Sequence, residues 1–348
     1  MNKLKEDLQK DLDLISKKID EGYNNDYYIA PNLELILNIA EDQHIRLKLS
    51  KTIKNYIKNY EDNEDSASKA FIDNYHNYKD LNESLTSIGE KINDEYGFKI
   101  VDPRYKAKVN LDEAIKIVAN FFKNYNKDIY DFYENFIING KFYALKNIND
   151  QFGLSTMSDE LLDPYLFIKK SNDIKNITVL AHEMIHVYLS DYQKYISEDE
   201  SSNKYINGVN EVYSFFIEYL MLDYLTSINF NKRDIINYKK SLYSDLIEQL
   251  YAFYTLLEPD DIDFTNYDEV VLYNDVKIYS YGLYFLYHFY DQYKIDKDMA
   301  VENITNFMLD SAYYDFNHLI NNYGLSEEKL RDYKVLLKHI EKIYWYFI

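Results

Sequence analysis

Apolar positions recur every three to four residues along most of this chain, as in LDEAIKIVANFFKNY over 111–125. That is the period of an α-helix with one buried face. The same rhythm predicts amphipathic helices over about 3–20, 32–60 and 64–95, the last two parted by the polar run EDNEDSAS at 61–68. The texture changes at 140–170, where NGKFYALKNINDQFGLSTMSDELLDPYLFIKK carries two glycines, a proline and the apolar run PYLFI. This stretch predicts loops and short strands leading into the next helix. From 173 the helical period resumes almost to the end, apart from a loop at 190–208 and a turn-rich patch at 258–277. The segment EYGFKIVDPRYKAK (95–108) combines a glycine, a proline and a β-prone run between two helical patterns. We take it as a domain boundary, with an N-terminal helical region at 1–95 and a second domain at 96–348. Only 8 glycines and 4 prolines occur in 348 residues, so helix breakers are scarce and a mainly α fold is expected.

Charge narrows the function classes. Acidic residues outnumber basic ones 59 to 39, a formal net charge of −20. That sign, with no basic stripe, excludes a nucleic-acid partner and disfavours an anionic membrane surface. The chain has no cysteine, which rules out disulfides and thiolate metal ligands. The N-terminus MNKLKEDLQKDLDLISKK carries charges every two or three residues, and no run approaches 18 apolar residues. We therefore expect a cytoplasmic protein with no membrane segment.

Candidate chemistry lies in TVLAHEMIHVYL (178–189). On a helix, His182 and His186 project from one face, one turn apart, so both can aim a ring nitrogen at a point about 2 Å away. Glu183 lies about 100° round the helix, beside such a metal, where a carboxylate can take a proton from water. Two core histidines with ordinary hydrogen bonds would show the same spacing, so a third ligand has to decide. Beyond a polar loop comes NEVYSFFIEYLMLDYL (210–225), an apolar helix interrupted by Glu211 and Glu218. A carboxylate in such company is costly unless paired or ligated. Glu211 is the natural ligand. Glu218, seven residues on, suits a hydrogen bond to a ligand histidine.

HEMIH, 24 residues, then EVYSFFIE (211–218) resembles the pattern of the thimet oligopeptidase/oligoendopeptidase F family of zinc metallopeptidases, HExxH followed at that distance by ExxSxxxE. The resemblance extends upstream through DPYLFIKKSNDIKNITVLAHEMIH (163–186) and downstream to VKIYSYGLYFLYHF (276–289), similar to the Tyr-x-Tyr segment of the oligoendopeptidase F branch. It implies a helical zincin-type (gluzincin) fold with a small β element beside the active-site helix. It also implies one Zn²⁺ per chain on His182, His186 and Glu211, and peptides as substrates. Glu183 would be general base and acid, Ser214 and Glu218 would support the ligands, and Tyr281 would donate to the oxyanion, with Tyr279 and Tyr273 nearby.

Two departures from the family stand out. The histidine that precedes the second tyrosine by ten to thirteen residues in the family is missing from NYDEVVLYND (266–275), and the N-terminal helical part is short. Losing one oxyanion donor typically costs about 10²–10³ in turnover. Two function classes follow: a zinc metalloendopeptidase of oligopeptides, and a catalytically weak or inactive zinc protein that binds peptides. The intact Glu183 favours the first. The run PYLFI, with Tyr165 and Phe167, is expected to hold an extended peptide by strand addition. His288 lies after the tyrosines and does not match the family's histidine; the other four, His44, His76, His318 and His339, stand singly in helical patterns and are expected to be structural.

Overall fold

A computed structural model describes residues 2–21, 33, 36–37, 43–60, 86–91, 103–146, 148, 152–156, 162–193, 210–255, 285–311, 314, 319, 321–324 and 338. The fold is mainly helical with one three-stranded sheet. By contact, the chain divides into two compact units, residues 1–66 with 107–195, and residues 67–106 with 196–348. Among the described residues no helix is long and apolar enough to cross a membrane.

The first unit begins with α1 (Asn2–Asp20) and α2 (Gln43–Tyr60). Leu8, Leu12, Ile15 and Ile19 of α1 repeat at four- and three-residue spacing and are buried with Ile45, Leu49 and Ile53 of α2. This is the stripe that the sequence period predicts. Helix α3 (Leu111–Tyr125) opens on Asn110, whose side chain accepts from Glu113 N at 2.9 Å. Asn126 both closes α3, through its N–H to Phe122 O, and opens α4 (Lys127–Asn139), its Oδ1 accepting from Asp128 N and Ile129 N. Such side-chain caps satisfy amides that the first helical turn leaves unpaired.

The sheet occupies the stretch where the helical period fails. Strands β1 (Lys141–Leu145), β2 (Gly153–Ser155) and β3 (Tyr165–Lys169) are ordered β1-β3-β2. β3 is central, parallel to β1 and antiparallel to β2. Both its edges are taken and its first four residues are buried, the reason it reads as an unbroken apolar run rather than an alternating one. After β3 the chain turns through Asn172, at φ 57°, into α5 (Lys175–Gln193).

A polar brace ties α1 to the sheet. Asp11 Oδ2 accepts from Lys141 Nζ and from Tyr165 Oη, each at 2.6 Å, and Tyr143 Oη donates to Asp7. Lys141 Nζ also sits 4.7 Å from the Tyr165 ring centroid. Burial first, then the Asp11 charge, pushes the Tyr165 phenol well above its ordinary pKa, which keeps it a donor. The N-terminal helices thus share one core with the sheet.

In the second unit, α6 (Asn210–Ser227) is apolar on nearly every side and correspondingly buried. Asn229, at φ 57°, supplies the left-handed residue in the turn to α7 (Lys232–Thr255). Buried Asp234 accepts Lys106 N on both oxygens, at 2.9 and 3.0 Å, fixing the 103–106 segment to α7. Helix α8 (285–295) and α9 (Lys297–Asp310, capped by Asp296) pack Phe285 and Phe289 on Phe307.

The expected helices at 3–20, 111–125 and 210–225 are present within a few residues. Of 64–95, only 86–91 is described, and it is helical; the turn-rich patch at 258–277 lies outside the described residues. The loop expected from 190 begins later, because α5 runs on to Gln193.

Asp11→Ala would leave the Lys141 ammonium, whose side chain is only 15% exposed, without its carboxylate. Breaking one side of a buried ion pair destabilises by about 3–5 kcal/mol. We expect a loss of that order in urea unfolding of Asp11→Ala, and a loss below about 0.5 kcal/mol for the exposed control Asp131→Ala.

Candidate metal centre

Helix α5 is held by its apolar side. Ile174, Ile177, Leu180, Ala181, Met184, Ile185 and Val187 are all fully buried, while His182, Glu183 and His186 are half-buried on the remaining face. Its first turn is anchored by Asp173, which accepts Lys175 N at 2.9 Å, and by Asn176, which donates to Val109 O at 2.8 Å. The helix therefore cannot rotate to hide or expose the histidines without breaking its core.

The ring nitrogens His182 Nε2 and His186 Nε2 face each other at 3.2 Å. Two nitrogens bound to one tetrahedral Zn²⁺ at about 2.0–2.1 Å would lie roughly 3.3 Å apart. The spacing fits. Among the described residues, His182, His186 and Glu211 form a group able to hold a cation, each offering one ligand atom, and these atoms lie within 4.8 Å of one another. Two imidazoles and a carboxylate, with no thiolate, match a catalytic zinc site, in which three protein ligands leave one position open.

Glu211 stands in the first turn of α6. Ser214 Oγ donates to Glu211 O at 3.1 Å and to Glu211 Oε2 at 3.3 Å, so the serine steadies the carboxylate. Glu218 is buried, and one of its hydrogen bonds comes from Tyr238 Oη at 3.3 Å. Sequence reading missed this tyrosine, because a phenol twenty residues away among 39 tyrosines carries no local signal.

Glu183 meets strand β2. Ser155 Oγ donates to Glu183 Oε2 at 2.8 Å. Gly153 lies so close to α5 that a Cβ there would fall 2.4 Å from Val179 Cγ1 and 2.6 Å from Glu183 Cγ. Neither residue was singled out from the sequence. A glycine within a strand does signal close backbone approach, and this one was readable only once the strand was known.

One expectation is overturned. Tyr165 and Phe167 do not line a substrate cleft: both are fully buried in the core of the first unit, and Tyr165 spends its hydroxyl on Asp11. As the central strand, β3 has no free edge for an extended peptide. Tyr273, Tyr279 and Tyr281 lie outside the described residues, as do His76, His318 and His339. His44 is exposed on α2, and His288 Nε2 lies 3.0 Å from Tyr323 O and 2.8 Å from Gln292 Nε2, inside the helical packing of the second unit.

No protein-family model matches the sequence, and no curated protein matches it. Solved structures do match the fold. A protein from Bacillus anthracis str. Ames assigned as oligoendopeptidase F superposes with TM-score 0.56 at 14% identity, over 99% of this chain and 75% of that one. A second protein assigned as oligoendopeptidase F gives 0.54 at 13%, over 98% and 76%. PZ peptidase A, solved with an inhibitor, gives 0.52 at 13%, over 99% and 77%. The chain has the fold of these proteins.

Gly153→Ala places a methyl group inside van der Waals contact of Val179 and Glu183, both on a helix that cannot retreat. Overpacking of this kind typically destabilises by about 1–3 kcal/mol. We expect a loss of that size in urea unfolding, against a loss below about 0.5 kcal/mol for Lys127→Ala on the exposed face of α4.

Proposed function

We propose that this chain is a zinc-dependent metalloendopeptidase acting on oligopeptides. The observation that carries the reading is the convergence of His182 Nε2 and His186 Nε2 at 3.2 Å, the edge of a tetrahedral site, in a group completed by Glu211. The fold shared with oligoendopeptidase F structures supports it. Residues 96–348 would form the catalytic domain and residues 1–95 a shortened N-terminal helical region. Function in the cytoplasm, on peptide substrates, belongs to the same proposal.

His182, His186 and Glu211 would hold one Zn²⁺. When bound, the ion would bring the pKa of a water toward neutrality and polarise the scissile carbonyl. Glu183 takes the proton of the attacking water and passes it to the departing amine. Its position next to His182 in sequence, half-buried on α5 like the two histidines, supports that role. Ser214 holds Glu211 from the side, which limits the carboxylate's freedom to swing away from its ligand position. Tyr281 would donate to the developing oxyanion, with Tyr279 as neighbour and Tyr273 toward the substrate.

A purely peptide-binding role would need none of this for Glu183. The presence of Glu183 in HExxH, with Ser155 Oγ donating to its carboxylate, favours the enzyme over the binding protein.

Elemental analysis of purified protein should give about one zinc per chain. Digestion of a mixed peptide library should create new termini that a chelator abolishes. Glu183→Gln should keep the zinc and lose activity by about 10²–10⁴. Retained peptides without cleavage by the zinc-loaded wild type would instead establish the binding protein.

A further inference from the structure

We propose that Ser155 is a positioning residue for Glu183, holding its carboxylate in one orientation for proton transfer; the inference rests on the peptidase reading above. Ser155 Oγ donates to Glu183 Oε2 at 2.8 Å across 28 residues of sequence. The other oxygen, Oε1, lies against Gly153, where an added Cβ would come within 2.8 Å of it. One short strand therefore meets both carboxylate oxygens, with a hydroxyl on one and bare backbone against the other.

A glutamate turns about three side-chain bonds, and each wrong rotamer takes a general base out of line with the proton it must accept. A donor fixed to one oxygen selects a single rotamer. Selection works only if the donor is itself fixed, and Ser155 is. It pairs with Leu166 of the buried central strand. Its neighbour Thr156 is tied to Tyr165 twice, Thr156 N donating to Tyr165 O at 2.9 Å and Tyr165 N to Thr156 Oγ1 at 2.7 Å. The hydroxyl is thus referenced to the central strand, against which α5 also packs. Ser155 acts through Glu183 alone.

Three variants test this on the full chain, with a fluorogenic oligopeptide as substrate. Ser155→Ala should lower kcat about 10-fold, the low end for removing a supporting partner of a reactive side chain, with KM within about twofold and one zinc per chain retained. Ser155→Thr, which keeps the hydroxyl, should restore kcat to within about threefold of wild type. A loss confined to KM, or a Ser155→Thr variant as slow as Ser155→Ala, would overturn the proposal. Thermal unfolding of the chelated protein gives a reading independent of turnover. Ser155→Ala should lower Tm by about 2–4 °C in the wild-type background. In the Glu183→Ala background, the hydrogen bond already gone, it should lower Tm by less than about 1 °C. Equal shifts in both backgrounds would show that the two side chains do not couple. Should wild-type protein prove inactive while the Tm shifts remain unequal, the peptidase reading would fall and the Ser155–Glu183 contact would stand as a purely structural clasp, which also overturns the positioning role.

Discussion

Two imidazole nitrogens 3.2 Å apart cannot both present lone pairs to each other; a proton or a cation has to lie between them. That constraint organises the first unit. It requires both rings on one face of a helix whose other faces are locked, and α5 meets it with a fully buried apolar flank. It requires the helix to start at a fixed place, which the turn through Asn172, the Asp173 contact and the Asn176 bond to Val109 provide. A bound cation would neutralise the facing lone pairs, and Glu211 would offer it a carboxylate.

The sheet serves the same helix from the other side. β3 is sacrificed to the core, so that β2 can lie across α5 at the level of Glu183. Antiparallel pairing to a buried strand gives β2 a rigidity that three residues alone would lack. α1 is in turn tied to β1 and β3 by the Asp11 brace, so the N-terminal helices stiffen the sheet.

Much of this was legible in the sequence, for identifiable reasons. Helix α5 and its HExxH face follow from a period of 3.6 residues, which is a local property, and the same holds for α3 and α6. Glu211 and Glu218 stood out because a carboxylate in an apolar helix demands an explanation. The run PYLFI was legible as a strand but not as a central one. Its unbroken apolar character was the clue, since an edge strand with one wet face alternates. Ser155, Gly153, Tyr238 and Asp11 were illegible, because each matters through a partner 20 to 154 residues away and none has an unusual neighbourhood of its own. The tyrosines of 273–281 are beyond the described residues, so the oxyanion donor stays a proposal.

Asn126 has a consequence for how such a chain can change over time. One side chain and one amide end α3 and begin α4, so the two helices meet with no spare residue between them. An inserted or deleted residue at this corner cannot be absorbed by slack. It would rotate one helix by about 100° against its packing partners. Length variation among descendants of this chain should therefore collect elsewhere, leaving the corner as an invariant ruler behind α5.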